Sequence, residues 1–198
     1  MSDARRGRPG TLPSDPRRGR PGYDRAGVLD IAVAAFNEHG YDATSMGTLA
    51  TRLGLSKSAI YHHFASKEEL LAAALDEALG GLEGVLREPA ALGGSPAARL
   101  QYVLDRAVHV LVERLPYVTL LLRLRGNTPV ERAALERRRE FDRAVTALVV
   151  EARDAGELRD DIDPRVAERL VFGMINSIVE WYRPEGPEDA ARLAADVL

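Results

Sequence analysis

At 198 residues, 45% of them hydrophobic and 29% charged, the chain is long enough to bury a core without covalent staples. The absence of cysteine excludes disulfides, thiolate metal sites and a cysteine nucleophile. No apolar run approaches the ~18 to 20 residues of a membrane span and the N-terminus has no apolar leader core, so the expectation is a cytoplasmic protein without a membrane partner.

The net charge of −3 is unevenly spread. Residues 1–22 hold six Arg against Asp3 and Asp15, residues 23–79 carry −4, and residues 80–198 carry −3. The first segment contains Arg5-Arg6-Gly7-Arg8-Pro9-Gly10 and repeats the same types as Arg17-Arg18-Gly19-Arg20-Pro21-Gly22. It has too few apolar side chains to offset the entropy of ordering, which predicts a flexible arm.

From Tyr23 the pattern is helical to the end. Val28, Ile31, Ala32, Ala35 and Phe36 form an amphipathic stripe that stops at Gly40. Thr44 and Ser45 are N-cap types before a short helix through Ala50 and Leu53, ended by Gly54. Ser56 caps a second short helix through Ile60 and Phe64, and Ser66-Lys67-Glu68-Glu69 has capping-box form before a longer one through Leu79. Beyond Gly93-Gly94, Ser95-Pro96, Thr128-Pro129 and Asp163-Pro164 each pair an N-cap residue with proline at the first helical position. Leu115-Pro116 sets off a short apolar segment to Leu124, and a last helix follows Pro187. No alternating strand pattern competes, so the expected fold class is all-α. The expected division is a basic arm over 1–22, a helix-turn-helix domain with connecting helix over 23–80, and a second helical domain over 81–198.

Two short helices joined by Gly54-Leu55-Ser56 form a helix-turn-helix arrangement. Leu49, Ala50, Leu53 and Leu55 would hold the interhelical angle, leaving Lys57, Ser58, Tyr61 and His62 on the outward side of the second helix. Those types can meet phosphates and base edges from a helix in the major groove. A helical corner without a ligand has the same spacing.

The wording of this stretch goes further. Tyr41-Asp42-Ala43-Thr44-Ser45-Met46, Gly54-Leu55-Ser56-Lys57-Ser58-Ala59-Ile60-Tyr61-His62-His63-Phe64 and Ser66-Lys67-Glu68-Glu69-Leu70 closely resemble the N-terminal domain of the TetR family of transcriptional repressors. The resemblance covers about residues 24–75. It implies a homodimer on a palindromic double-stranded DNA operator, controlled by a small-molecule effector in the C-terminal domain. Position by position, it implies DNA contacts from Thr44, Ser45, Lys57, Ser58, Tyr61, His62 and Lys67.

Leu115 to Arg123, Glu131 to Asp142 and Phe172 to Pro184 resemble TetR-type regulators of fatty-acid and phenylacetate catabolism in actinobacteria. That resemblance implies an acyl-CoA effector and no catalytic cofactor. Arg138 falls within the apolar register of Ala134, Phe141, Val145, Leu148 and Ala152, so it needs a partner if buried. An internal ion pair, an outward-reaching stem and an anion site are all open. Candidate ligand contacts are Arg106, His109, Tyr117, Leu120, Leu121, Arg123, Arg138, Arg139, Phe141, Phe172 and Asn176. For Arg106 and His109 a solvated helix face is the simpler account, and Asn176 could serve ligand, partner or neighbouring helix. The helix from Arg165 to Tyr182 is apolar on nearly every side, which predicts burial on more than one face. Val166, Leu170, Ile178 and Trp181 are therefore candidates for a dimer interface.

Each arm repeat contains Arg-Gly-Arg-Pro, which resembles the AT-hook core, and Arg18 and Arg20 are candidate minor-groove contacts. A basic tail without groove preference, or a start codon placed too far upstream, accounts for it equally. His39, His62, His63 and His109 show no metal-ligand spacing, and no nucleophile elbow or phosphate-cradling loop is present, so no enzyme is expected. A drug-sensing regulator of an efflux pump and an architectural minor-groove protein stay as alternatives.

Overall fold

A computed structural model describes residues 24–197, and the arm, with Arg18 and Arg20, lies outside the described residues. Ten helices and no strand occur among the described residues: α1 Arg25–His39, α2 Met46–Leu53, α3 Lys57–His63, α4 Lys67–Val85, α5 Pro89–Leu92, α6 Pro96–Glu113, α7 Leu115–Leu122, α8 Pro129–Asp154, α9 Pro164–Trp181 and α10 Ala190–Val197. The all-α expectation holds.

Capping explains where they begin. Ser45, Ser56, Ser66, Ser95 and Thr128 each accept the N–H of the third residue on, and Asp163 accepts from Arg165. At α4 the reciprocal half of the box is displaced, because Glu69 accepts from Ala65 rather than from Ser66. The one-turn α5 was not anticipated, since Glu88 at its start makes no side-chain cap.

Val28, Leu29, Ala32, Val33 and Phe36 of α1 bury against α2 to α4, with Leu49, Ile60, Phe64, Leu70 and Leu71 filling the small N-terminal core. α4 does not end with that unit. Its second half buries Ala78, Leu79 and Val85 against α6, α7 and α8, so one continuous helix serves both cores. Arg137 of α8 ties down α4 through Glu83 at 2.7 Å and Asp76 at 2.5 Å, and Arg114 pairs with Glu77. The Arg137 guanidinium draws the Glu83 carboxyl below its usual range.

α7 forms the second join. The Tyr117 hydroxyl donates to Asp30, Asn37 donates to the Pro116 carbonyl at 2.8 Å, and Arg123 donates to the Asn37 carbonyl at 3.0 Å. Burial first, then the Asp30 carboxylate, raise Tyr117 well above an ordinary phenol.

Candidate functional site

α2 and α3 pack through Met46, Leu49, Ala50, Leu53 and Ile60, all buried. Between them Gly54 sits at φ 61, a left-handed turn that a side chain would strain, and the Leu55 N–H closes on the Ala50 carbonyl at 3.0 Å. Ile60 and Phe64 face inward and are fully buried, which turns Lys57, Ser58, Tyr61 and His62 outward. Tyr61 is 49% exposed and its hydroxyl has no partner among the described residues. The stem of Lys57 crosses α2 at Gly47, where a Cβ would come within 3.1 Å of its Cε. Gly47 is not among the expected site residues, although a glycine two residues past the Ser45 N-cap is a usable signal of close approach.

Ser45 caps α2 and remains exposed. Thr44 is a correction: it is buried, and its hydroxyl donates to the Gly40 carbonyl at 2.8 Å, so it shapes the α1–α2 turn rather than presenting to DNA. Lys67 is also committed internally. Its ammonium donates to the Tyr41 carbonyl at 3.0 Å and lies 4.1 Å from the centre of the Tyr41 ring. Burial, with Glu68 nearby, pushes the Tyr41 hydroxyl up to about 12. Arg52 pairs with Glu38, and Arg25 sits over Phe64 beside Glu69. Lys57 is therefore the cation of α1–α3 with no acid or carbonyl partner among the described residues.

In the C-terminal domain, five of the candidate ligand contacts, Leu121, Arg138, Phe141, Phe172 and Asn176, come together. With Ala107, Leu111, Val118 and Ile175 they line a cavity of about 30 Å³ between α6, α7, α8 and α9. The Phe141 and Phe172 rings meet edge to face at 5.7 Å and close it on one side. Arg138, Asp142, Phe172 and Asn176 also line an open groove of about 610 Å³ along α8 and α9. Five arginines border that groove (Arg138, Arg139, Arg143, Arg165 and Arg169), against Asp142 and Glu168. Arg138 is half-buried and makes no hydrogen bond or ion pair among the described residues. Arg139 bonds Glu136 at 3.0 Å on the exposed rim. Burial raises the Asp142 carboxyl above its usual range, opposed by Arg138 and Arg143.

The other expected ligand contacts lie elsewhere. Tyr117 and Arg123 serve the α1–α7 join, and Leu120 with Arg123 lines a crevice beside Asn37 and Tyr41. Arg106 and His109 line neither the cavity nor the groove; His109 is held by the Asp105 carbonyl at 2.9 Å. On α7 the circumference is apolar nearly all round and only packing chooses the inward side, whereas on α6 the face of Leu100, Val103, Leu104, Ala107 and Leu111 is the buried one and Arg106 and His109 lie half-buried beside it. On α9, Val166 (48%), Leu170 (61%), Met174 (52%) and Trp181 (48%) are exposed along one face, whereas Ile178 is buried within the subunit and is corrected from interface to core.

Residues 28–74 match the model described as bacterial regulatory proteins, tetR family, and residues 93–198 match the tetracyclin repressor-like C-terminal domain. The crystal structure of SCO3833, a TetR regulator from Streptomyces coelicolor A3, is 56% identical with a TM-score of 0.80, covering 86% of this chain and 85% of that one. The transcriptional repressor KstR2 of Rhodococcus jostii is 29% identical over 193 residues, covering 88% of this chain and 87% of that protein. The fatty acid metabolism regulator protein of Bacillus subtilis is 23% identical over 174 residues, covering 86% and 90%. With an outward-facing α3 on a helix-turn-helix, a helical C-terminal domain joined through α4 and α7, and both halves matched, the chain belongs to the TetR family of DNA-binding transcriptional regulators.

Proposed function

We propose that the chain represses transcription as a homodimer on a palindromic operator and that an acyl-CoA thioester releases it. The observation that carries the effector reading is the junction of apolar cavity and arginine groove at Arg138, Phe172 and Asn176. An acyl group would enter between Phe141 and Phe172 while the CoA phosphates rest on the groove, where charge-assisted bonds are strongest. A cavity of about 30 Å³ holds roughly one water, so entry requires the two rings to part. α7 lines that cavity through Val118 and Leu121 and is bonded to α1 through Tyr117, Asn37 and Arg123, so the displacement reaches the DNA-binding unit. The fatty-acid regulator among the relatives supports this ligand class.

Lys57, Ser58, Tyr61 and His62 read the major groove, with Ser45 on a phosphate. In the dimer, recognition helices stand about 34–36 Å apart, one turn of DNA. The exposed stripe of Val166, Leu170, Met174 and Trp181 supports pairing through α9, because contiguous apolar surface is uncommon on monomers. The arm supplies cations that α1–α3 lack, with Arg18 and Arg20 in the flanking minor groove. Its point of attachment supports this, since Arg25 lies against Phe64 at the end of α3.

The test is fluorescence anisotropy of the operator complex titrated with medium- and long-chain acyl-CoAs, phenylacetyl-CoA, the corresponding free acids and a panel of hydrophobic drugs. Release by one or more thioesters at concentrations where the acids and drugs do nothing is the expected result. Release by drugs or free acids and by no thioester would overturn the ligand class.

A further inference from the structure

A second cavity, of about 290 Å³, lies at the far end of the C-terminal domain, where the start of α6, the end of α8, the start of α9 and the end of α10 meet. Its walls are Leu100, Leu104, Val145, Val149, Val171 and Val197, and it shares no residue with the cavity beside α7. Protein interiors are close-packed, and unfilled space among leucines and valines costs stability in proportion to its volume. A void of this size lies near the lower end of the ~300–1,000 Å³ of small-molecule sites.

One side chain breaks the apolar wall. Glu168 is 7% exposed, yet makes no hydrogen bond or ion pair among the described residues. Its carboxyl borders both this void and the arginine groove and is available to a ligand in the void. The two guanidiniums at the mouth are already engaged: Arg153 holds Asp154 at 2.8 Å and Arg159 holds Asp161. They leave no free cation for an anionic ligand. Burial, with Asp142 across on α8, pushes the Glu168 carboxyl above its usual range, against weaker opposition from Arg169 and Arg138. A carboxyl held toward its neutral form suits a neutral hydroxyl that can both donate and accept.

We propose that this cavity is a second effector site, meeting the acyl-CoA groove only at Glu168, and that it takes a small apolar alcohol whose hydroxyl pairs with Glu168.

The experiment uses the full chain and three probes of equal length: 1-octanol, octanoate and octylamine. Calorimetric titration should show saturable binding of octanol and at least tenfold weaker binding of the other two. Methyl NMR spectra of the wild-type chain should shift at Leu104, Val149 and Val171 and stay unchanged at Val118 and Leu121. Glu168→Leu should weaken octanol binding at least tenfold, and Ala167→Phe, which fills the void, should abolish it. If Ala167→Phe does not fold, the wild-type methyl map still decides. Absence of saturable octanol binding, equal or tighter binding of octanoate or octylamine, or shifts centred on Val118 and Leu121 would overturn the proposal. Because Glu168 borders the acyl-CoA groove as well, Ala167→Phe and the wild-type methyl map, whose residues line this void alone, separate failure of this site from failure of acyl-CoA release on the operator complex.

Discussion

Lys57 and Tyr61 project from the same side of α3, held there by Ile60 and Phe64 on the other. Since Lys57 is the uncommitted cation of α1–α3, Lys57→Ala or Tyr61→Ala should lower operator affinity at least tenfold with no change in circular dichroism. Full affinity at physiological salt in either variant would mean that α3 is not the reading helix. Arg138→Ala should weaken release by acyl-CoA by ~1.5 to 3 kcal/mol, roughly tenfold to over a hundredfold, while operator binding without effector persists. Titration of the operator complex measures both. Positions set by one helix face were legible in the sequence, and Lys57, Tyr61 and Phe141 lie on the faces the periodicity gives them. Thr44 was not, because its burial depends on the Gly40 carbonyl at the end of another helix. The same holds for Lys67, whose partner Tyr41 is distant in sequence.

Among the elements, α7 and α9 show what periodicity leaves undecided. α7 is apolar around its whole girth, so nothing in its composition says that Val118 and Leu121 face the cavity between α6, α8 and α9 while Tyr117, Leu120 and Arg123 face α1 and its following turn. Tyr117, Leu120, Leu121 and Arg123, all expected in one pocket, divide between those two sides. The cap-and-proline signals, by contrast, are local backbone chemistry, and α6, α8 and α9 begin where those signals stand. On α9 the distinction lies between Ile178, turned into the core, and Leu170, turned out. Leu170→Glu should therefore weaken the proposed dimer by about 10- to 100-fold, given the ~1.5 to 3 kcal/mol that a leucine contributes on burial. Light scattering at micromolar concentration should return a monomer, with operator binding lost in parallel. An unchanged dimer mass would move the interface off this face.

At the scale of the molecule, the charge distribution sets an electrostatic problem that the arm is proposed to resolve. Residues 23–79 carry −4, whereas residues 1–22 hold six Arg against two Asp. Deleting residues 1–22 should weaken operator binding with little dependence on sequence and flatten its salt response. With about 0.9 counterion released per phosphate neutralised, the slope of log K against log salt can fall by at most ~5 per subunit. An unchanged slope would mean that the arm does not touch DNA. The two-core plan, with α4 shared and α7 bonded to α1, is the route by which the proposed effector would act on the proposed reading helices.

The most direct test of the central claim is selection of bound duplexes from random DNA with the full chain, repeated with Tyr61→Ala. The account predicts enrichment of one short inverted repeat with half-site centres about 10 to 10.5 base pairs apart, lost in the variant. Enrichment of A/T-rich tracts without symmetry, unaffected by Tyr61→Ala, would contradict it and assign DNA binding to the arm alone.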